Sequence, residues 1–117
     1  MASHMSGEFL CKMLRDRHPL PAITLTDPAV MTAISNDFGF QYIYSRQIRA
    51  LGDPGDGVII FTTSGKSKNI RSAISQAKSM GIAIIEAPRT GTSVADIQER
   101  QLHWLHYVCR KVEGNLR

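Results

Sequence analysis

Apolar residues recur at helical spacing over residues 6–14, where Phe9, Leu10, Met13 and Leu14 fall on one side and Glu8 and Lys12 on another, so a first helix is predicted there. "RDRHPLP" ends it, and the β-branched run "AITLT" (22–26) predicts a short buried strand. Asp27 is a good N-cap and Pro28 suits the first helical position, which starts a helix over "DPAVMTAIS". Another helix is expected over "QYIYSRQIRALG", capped at Gly52, and "DPGDG" turns the chain into the strand "VIIFT". A helix from about Ser67 to Met80 stops at Gly81, "IAII" forms the next strand, and "APRTGTS" leads to a final helix over about 94–112. Strand and helix alternate throughout, which implies an α/β fold with a parallel sheet and ligands at the carboxyl ends of its strands.

The strand "VIIFT" runs into "TTSGKSKNI", where Thr62, Thr63, Ser64 and Ser67 surround Gly65 just before a helix start. Hydroxyls, unpaired helix N–H groups and a glycine that permits close approach together make a phosphate cradle. The plainer alternative is that Ser64 or Ser67 only caps the helix. A nucleotide-binding P-loop is excluded, since the glycine required five positions before Gly65 is replaced by Ile60. "DFG" at 37–39 has none of the accompanying kinase elements. There Asn36 and Asp37 end a helix, and Phe38 and Phe40 either pack or border a ligand.

On the final helix, positions 94, 97, 101, 105, 108 and 112 form one stripe, apolar except for Gln101, with Gln98 and His106 at its borders. Trp104 and Tyr107 are expected to pack. Gln98 and His106 lie about 12 Å apart along the axis at 1.5 Å per residue, so a site that uses both needs two chains. His4 and Glu8, four residues apart, share a helix face and suit metal ligation or an acid and base pair. "MASHM" also reads as a cloning remnant, which leaves His4 open, whereas Glu8 does not depend on the answer. His18 falls in a loop, and His103 faces solvent.

The 117 residues, 43% of them hydrophobic, fit one domain (1–117). The charge of +4 favours anionic partners, yet basic residues form no arm or stripe, so on charge alone a small phosphorylated ligand fits as well as nucleic acid. Cys11 and Cys109 lack CxxC spacing and are expected as free thiols. Without a signal peptide or long apolar run, a cytoplasmic, membrane-free protein is expected.

With these motifs in view, "HMSGEF" (4–9), "ISNDFGF" (34–40), "SRQIRALGDPGD" (45–56), "TTSGKSKNI" (62–70), "KSMG" (78–81) and "IQERQLHWLHYVC" (97–109) resemble, in order and spacing, the sugar isomerase (SIS) domain family, and within it the phosphoheptose isomerases. The resemblance implies a three-layer, flavodoxin-like sandwich of parallel sheet and helices. It also implies that Thr62, Thr63, Ser64 and Ser67 grip a sugar phosphate, with threonine at 62 where serine is usual, and only this implication sets nucleic acid aside as a partner. Glu8 and His106 become general base and acid, moving a proton between C1 and C2 through an enediol. Zinc on His4, Glu8, Gln98 and His106, and a homotetramer with sites between subunits, follow from the same resemblance, as does heptose supply for the bacterial cell surface. Lys12 stands where a phosphate-contacting arginine is common, and Asn36 and Asp37 stand in the sugar-side loop.

Against the family pattern the chain lacks an initial helical segment, a strand and a "GNGGS" turn before Met1. It also lacks a strand and glycine-rich loop after "IAII", an abrupt join at Ile85-Glu86 that we read as omission rather than as a real truncation. Two rival functions remain. One is a non-catalytic SIS tetramer that binds a replication initiator, a role that can dispense with the last-helix histidine. The other is a sugar-phosphate sensor, which would keep the hydroxyl turn without the Glu8 and His106 pair.

Overall fold

The computed structural model describes residues 1–116, which form two compact units, Leu25–Glu86 and, separately, Met1–Thr24 with the segment from Ala87 onward. Each unit has its own organisation.

In the Leu25–Glu86 unit, α2 (Pro28–Asp37) starts as expected, with the Asp27 carboxylate accepting from the Val30 N–H at 3.1 Å and Pro28 in the first turn. The helix expected over 41–52 is instead a 3-10 turn, Phe40–Tyr42, followed by α3 (Ser45–Leu51). Gln47 anchors this break: its side-chain amide donates to the Ile43 carbonyl (2.7 Å) and the Leu25 carbonyl (3.1 Å), while Ile43 is fully buried. β1 (Gly57–Ile60), α4 (Lys68–Ser79) and β2 (Ala83–Glu86) follow, and β1 pairs β2 in parallel with Gly57 opposite Ala83 and Ile60 opposite Glu86. This is the expected α/β arrangement, a parallel pair joined through a helix.

Ile48, Ala73, Ala77 and Ile82 form the core of this unit, with Leu25, Tyr44, Val58, Met80 and Ile84 packed against it. Alanines at 73 and 77 lie one turn apart, so α3 can approach α4 closely. Gly52 follows α3 for a similar reason. Its φ is −83°, which any residue adopts, but a Cβ there would lie 2.6 Å from Ile82 Cδ1 and 2.8 Å from the Ile48 carbonyl oxygen. Gly81, by contrast, ends α4 with φ +69°, the left-handed conformation glycine takes without strain.

The strand expected over 22–26 does not form; among the described residues only β1 and β2 pair. Side chains take carbonyls that a ladder would have used: Ser6 Oγ donates to Ala22 and Gln47 to Leu25. Leu25 nevertheless reaches the core, which satisfies the apolar signal without a sheet.

In the other unit, α1 (Ala2–Leu10) starts earlier and stops sooner than the apolar spacing over 6–14 predicts, leaving Cys11 to Leu14 outside it. α5 (Val94–Gly114) starts on Ser93, whose hydroxyl accepts from the Asp96 N–H at 3.1 Å. Asp96 in turn accepts from the Thr92 N–H (2.8 Å) and from Arg100 (3.0 Å), and these bonds hold its carboxyl below the ordinary value. The buried stripe of α5 is Gln101, Leu105, Cys109 and Glu113. It shares positions 101 and 105 with the expected stripe and then departs, because burial repeats here every four residues.

Gln101 donates to the Pro88 carbonyl at 3.2 Å, one partner for the polar group that interrupts the face. Tyr107, expected to pack, is 51% exposed, with the Lys111 ammonium 5.6 Å from its ring centroid. His18 and His103 are exposed as expected. Both cysteines are free thiols: Cys11 is exposed and Cys109 is buried, its pKa pushed up to about 11 by burial and then by the Glu8 charge. No helix among the described residues is long and apolar enough to cross a membrane.

Candidate functional site

Glu8 and His4 lie one turn apart on α1, and Met5 between them is buried, which fixes the rotation of this helix. His106 follows the fully buried Leu105 on α5. These placements bring three ligand atoms within 4.8 Å of one another. His4 Nε2 is 3.2 Å from Glu8 Oε1 and 3.1 Å from His106 Nε2, and the two imidazoles meet edge to face with centroids 5.0 Å apart. Two ring nitrogens that close either share a proton or direct their lone pairs at one cation.

The donor set, two imidazoles and a carboxylate, is one that zinc accepts, and bonds of about 2.0–2.2 Å to one ion set ligand atoms slightly more than 3 Å apart. His4, Glu8 and His106 therefore fit a metal. Glu8 and His106 are half-buried and His4 is exposed, so the cluster is open to a small molecule as well.

Gln98 is exposed on the same uninterrupted α5, about 12 Å along the axis from His106, and a single chain does not bring it to the cluster. Lys12 is not on a helix at all; it is exposed in the segment after α1. Asn36 and Asp37 end α2 as expected, exposed, with Asn36 Nδ2 donating to Asp37 Oδ1 at 3.2 Å. Phe38 and Phe40 do not pack: they are 52% and 62% exposed, and Arg46 lies 3.7 Å over the Phe38 ring.

The hydroxyl turn belongs to the Leu25–Glu86 unit and winds on its own side chains. Thr62 Oγ1 accepts from the Gly65 N–H and Ser64 Oγ from the Lys66 N–H, both at 3.2 Å, and Gly65 takes φ +68°. Ser67 occupies the N-cap position of α4 with extended backbone, yet its side chain makes no capping bond. The capping alternative therefore does not account for Ser67, and its hydroxyl stands at the N-terminus of a 12-residue helix whose first N–H groups it leaves untouched.

Sequence reasoning missed Arg17 and Glu113. Glu113 is 3% exposed, and its side chain accepts from the Met13 N–H (3.1 Å) and the Leu14 N–H (2.8 Å) and meets Arg17 Nε at 3.3 Å. A signal existed: an acid four residues beyond Cys109 continues the buried repeat.

Among known proteins, the SIS domain family matches residues 1–86. The phosphoheptose isomerase of Campylobacter concisus is 35% identical over 133 aligned positions, covering 99% of this chain and 70% of the relative, and that of Burkholderia pseudomallei is 38% identical, covering 98% and 67%. A solved phosphoheptose isomerase from Francisella tularensis superposes with a TM-score of 0.87 at 32% identity, covering 93% of this chain and 68% of that one. The Campylobacter alignment is longer than the chain itself, so it holds positions with no counterpart in this chain, and the family match stops at Glu86. On the strength of both kinds of likeness, the chain belongs to the SIS domain family and, within it, to the phosphoheptose isomerases.

Proposed function

We propose that the chain converts D-sedoheptulose 7-phosphate to D-glycero-D-manno-heptose 7-phosphate, in the bacterial cytoplasm, for lipopolysaccharide or capsule heptose. The observation that carries this reading is the meeting of Glu8 and His106, from opposite ends of the sequence, with their functional atoms within 4.8 Å. A carboxylate and an imidazole that close can take a proton from one carbon of a ketose and return one to its neighbour through an enediol. Glu8 is the base and His106 the acid. Thr62, Thr63, Ser64 and Ser67 hold the phosphate, with Asn36, Asp37 and Lys12 as further sugar and phosphate contacts.

His4, Glu8 and His106 would hold zinc, joined by Gln98 of a neighbouring chain in a homotetramer, and the ion would supply Lewis acidity toward the sugar carbonyl and hydroxyl oxygens. The pairing of Glu8 with His106 favours an enzyme over a sugar-phosphate sensor or a scaffold, neither of which needs it.

The test is aldose formation from sedoheptulose 7-phosphate by the purified protein, with and without added zinc. No turnover by a folded, tetrameric protein would overturn the proposal. Ser67→Ala separates the two readings of the turn. A lost cap would cost about 1 kcal/mol of stability. The phosphate reading instead expects an unchanged Tm and a KM raised roughly tenfold or more, the loss of one hydrogen bond to a charged group.

A further inference from the structure

α1 is a poor helix on its own account. It has nine residues including Gly7, no side-chain N-cap and no basic residue in its last turn, and it ends at Cys11 with φ −95° and ψ −94° rather than on a left-handed glycine. Isolated helices of this length are marginal in water, so its position must be imposed from outside.

Arg17 imposes it. The guanidinium, whose side chain is 7% exposed, donates from one terminal nitrogen to the Glu8 carbonyl (2.6 Å) and from the other to the carbonyls of Phe9 (2.9 Å), Cys11 (3.3 Å) and His18 (3.3 Å). Glu8 and Phe9 stand in the last turn of α1, whose carbonyls have no helical partners, Cys11 caps that end, and His18 lies beyond it. The Glu113 carboxylate of α5 stands 3.3 Å from Arg17 Nε as its ion-pair partner, without a well-directed hydrogen bond from that nitrogen. It receives the Met13 and Leu14 N–H groups, while Arg15 donates to the Glu113 and Leu116 carbonyls at 2.6 Å each.

We propose that Arg17 and Glu113 are positioning residues for the isomerase site: their clasp ties the end of α1 that carries Glu8 to the last turns of α5 and so sets the spacing of Glu8 and His4 from His106. The proposal rests on the functional reading above only for its effect on catalysis. The geometry alone assigns the clasp, since Arg17 bonds the backbone of Glu8 itself.

Arg17→Lys is the decisive variant, because a lysine keeps the charge and much of the bulk but lacks the fork that serves four carbonyls and a carboxylate at once. Ile48→Val, in the core of the other unit, is the control for stability lost elsewhere. Arg17→Lys is expected to lower kcat roughly tenfold to a hundredfold, as displacements near 1 Å do. KM for the sugar phosphate should stay near the wild-type value. Zinc retention against a chelator should weaken about tenfold or more, the usual effect of losing a residue that orients metal ligands.

The cross-peak between the His4 and His106 rings in NMR spectra should fade in Arg17→Lys and persist in Ile48→Val. This last readout needs neither turnover nor metal, so it separates failure of the clasp from failure of the assigned reaction. An unchanged ring cross-peak together with unchanged zinc retention in Arg17→Lys would overturn the proposal, as would equal losses in Ile48→Val.

Discussion

Glu8→Gln is expected to lower kcat by roughly a hundredfold to ten-thousandfold, the range that one general acid or base supplies, with the fold intact. The amide is nearly isosteric with the carboxylate. It keeps a carbonyl oxygen facing His4 Nε2, now 3.2 Å from Glu8 Oε1, so α1 loses little. What it cannot do is accept a proton. Because the phosphate contacts proposed are hydroxyls of the turn and not Glu8, phosphate binding should survive, and inhibition by inorganic phosphate should match that of the wild type. Steady-state kinetics with circular dichroism as the folding control checks both statements. Wild-type turnover in Glu8→Gln would remove Glu8 from the role of base.

Glu113→Ala is expected to be the most destabilising single change near the site, lowering Tm by roughly 10 °C or more, because one substitution strands three groups. Arg17 would remain nearly buried without its counterion, and the Met13 and Leu14 N–H groups would lose their acceptor. The same contacts give the protein an acid limit. Burial pushes the Glu113 carboxyl up, but the N–H groups of Leu14, Met13 and Arg15 and the Arg17 charge outweigh it and hold the group below its ordinary value of 4.5.

A carboxyl whose folded pKa is depressed stabilises fully above its unfolded value and loses that contribution as pH falls through the folded one. Tm should therefore drop on acidification below about 4.5, and Glu113→Ala should show a shallower drop over the same window. Parallel curves for the two proteins would remove Glu113 as the source.

Elements with strong local signals were legible in the sequence. Asp27-Pro28 fixes the start of α2, Gly81 the end of α4, and the alternation of apolar strands with helices the parallel pair. Residues 22–26 were misjudged because β-branched content measures suitability for a strand, whereas a strand also needs a free neighbouring edge, and here side chains occupy the carbonyls. The helix expected over 41–52 broke for a tertiary reason as well, since Gln47 reaches back to bond Ile43 and Leu25.

At the candidate site, the spacing of His4 and Glu8 marks them as a pair on one helix face, whereas the edge of an apolar face is an ordinary place for a packed histidine and His106 takes a role only through the family resemblance. The convergence of the three is not legible, because it depends on how two distant helices pack. Arg17 and Glu113 escaped notice because each alone looks like an ordinary surface charge. Only their mutual burial, and the end of α1 at Leu10, gives them a task.

The unequal settings of the two thiols give the molecule a built-in clock. Cys11 is exposed, whereas Cys109 is buried on α5 with its pKa raised to about 11, so at neutral pH almost none of it is the thiolate that alkylating reagents attack. Cys109 can react only when α5 parts from what covers it. The slow phase of thiol labelling thus counts the openings of the helix that carries His106, and does so without a probe being added to the protein.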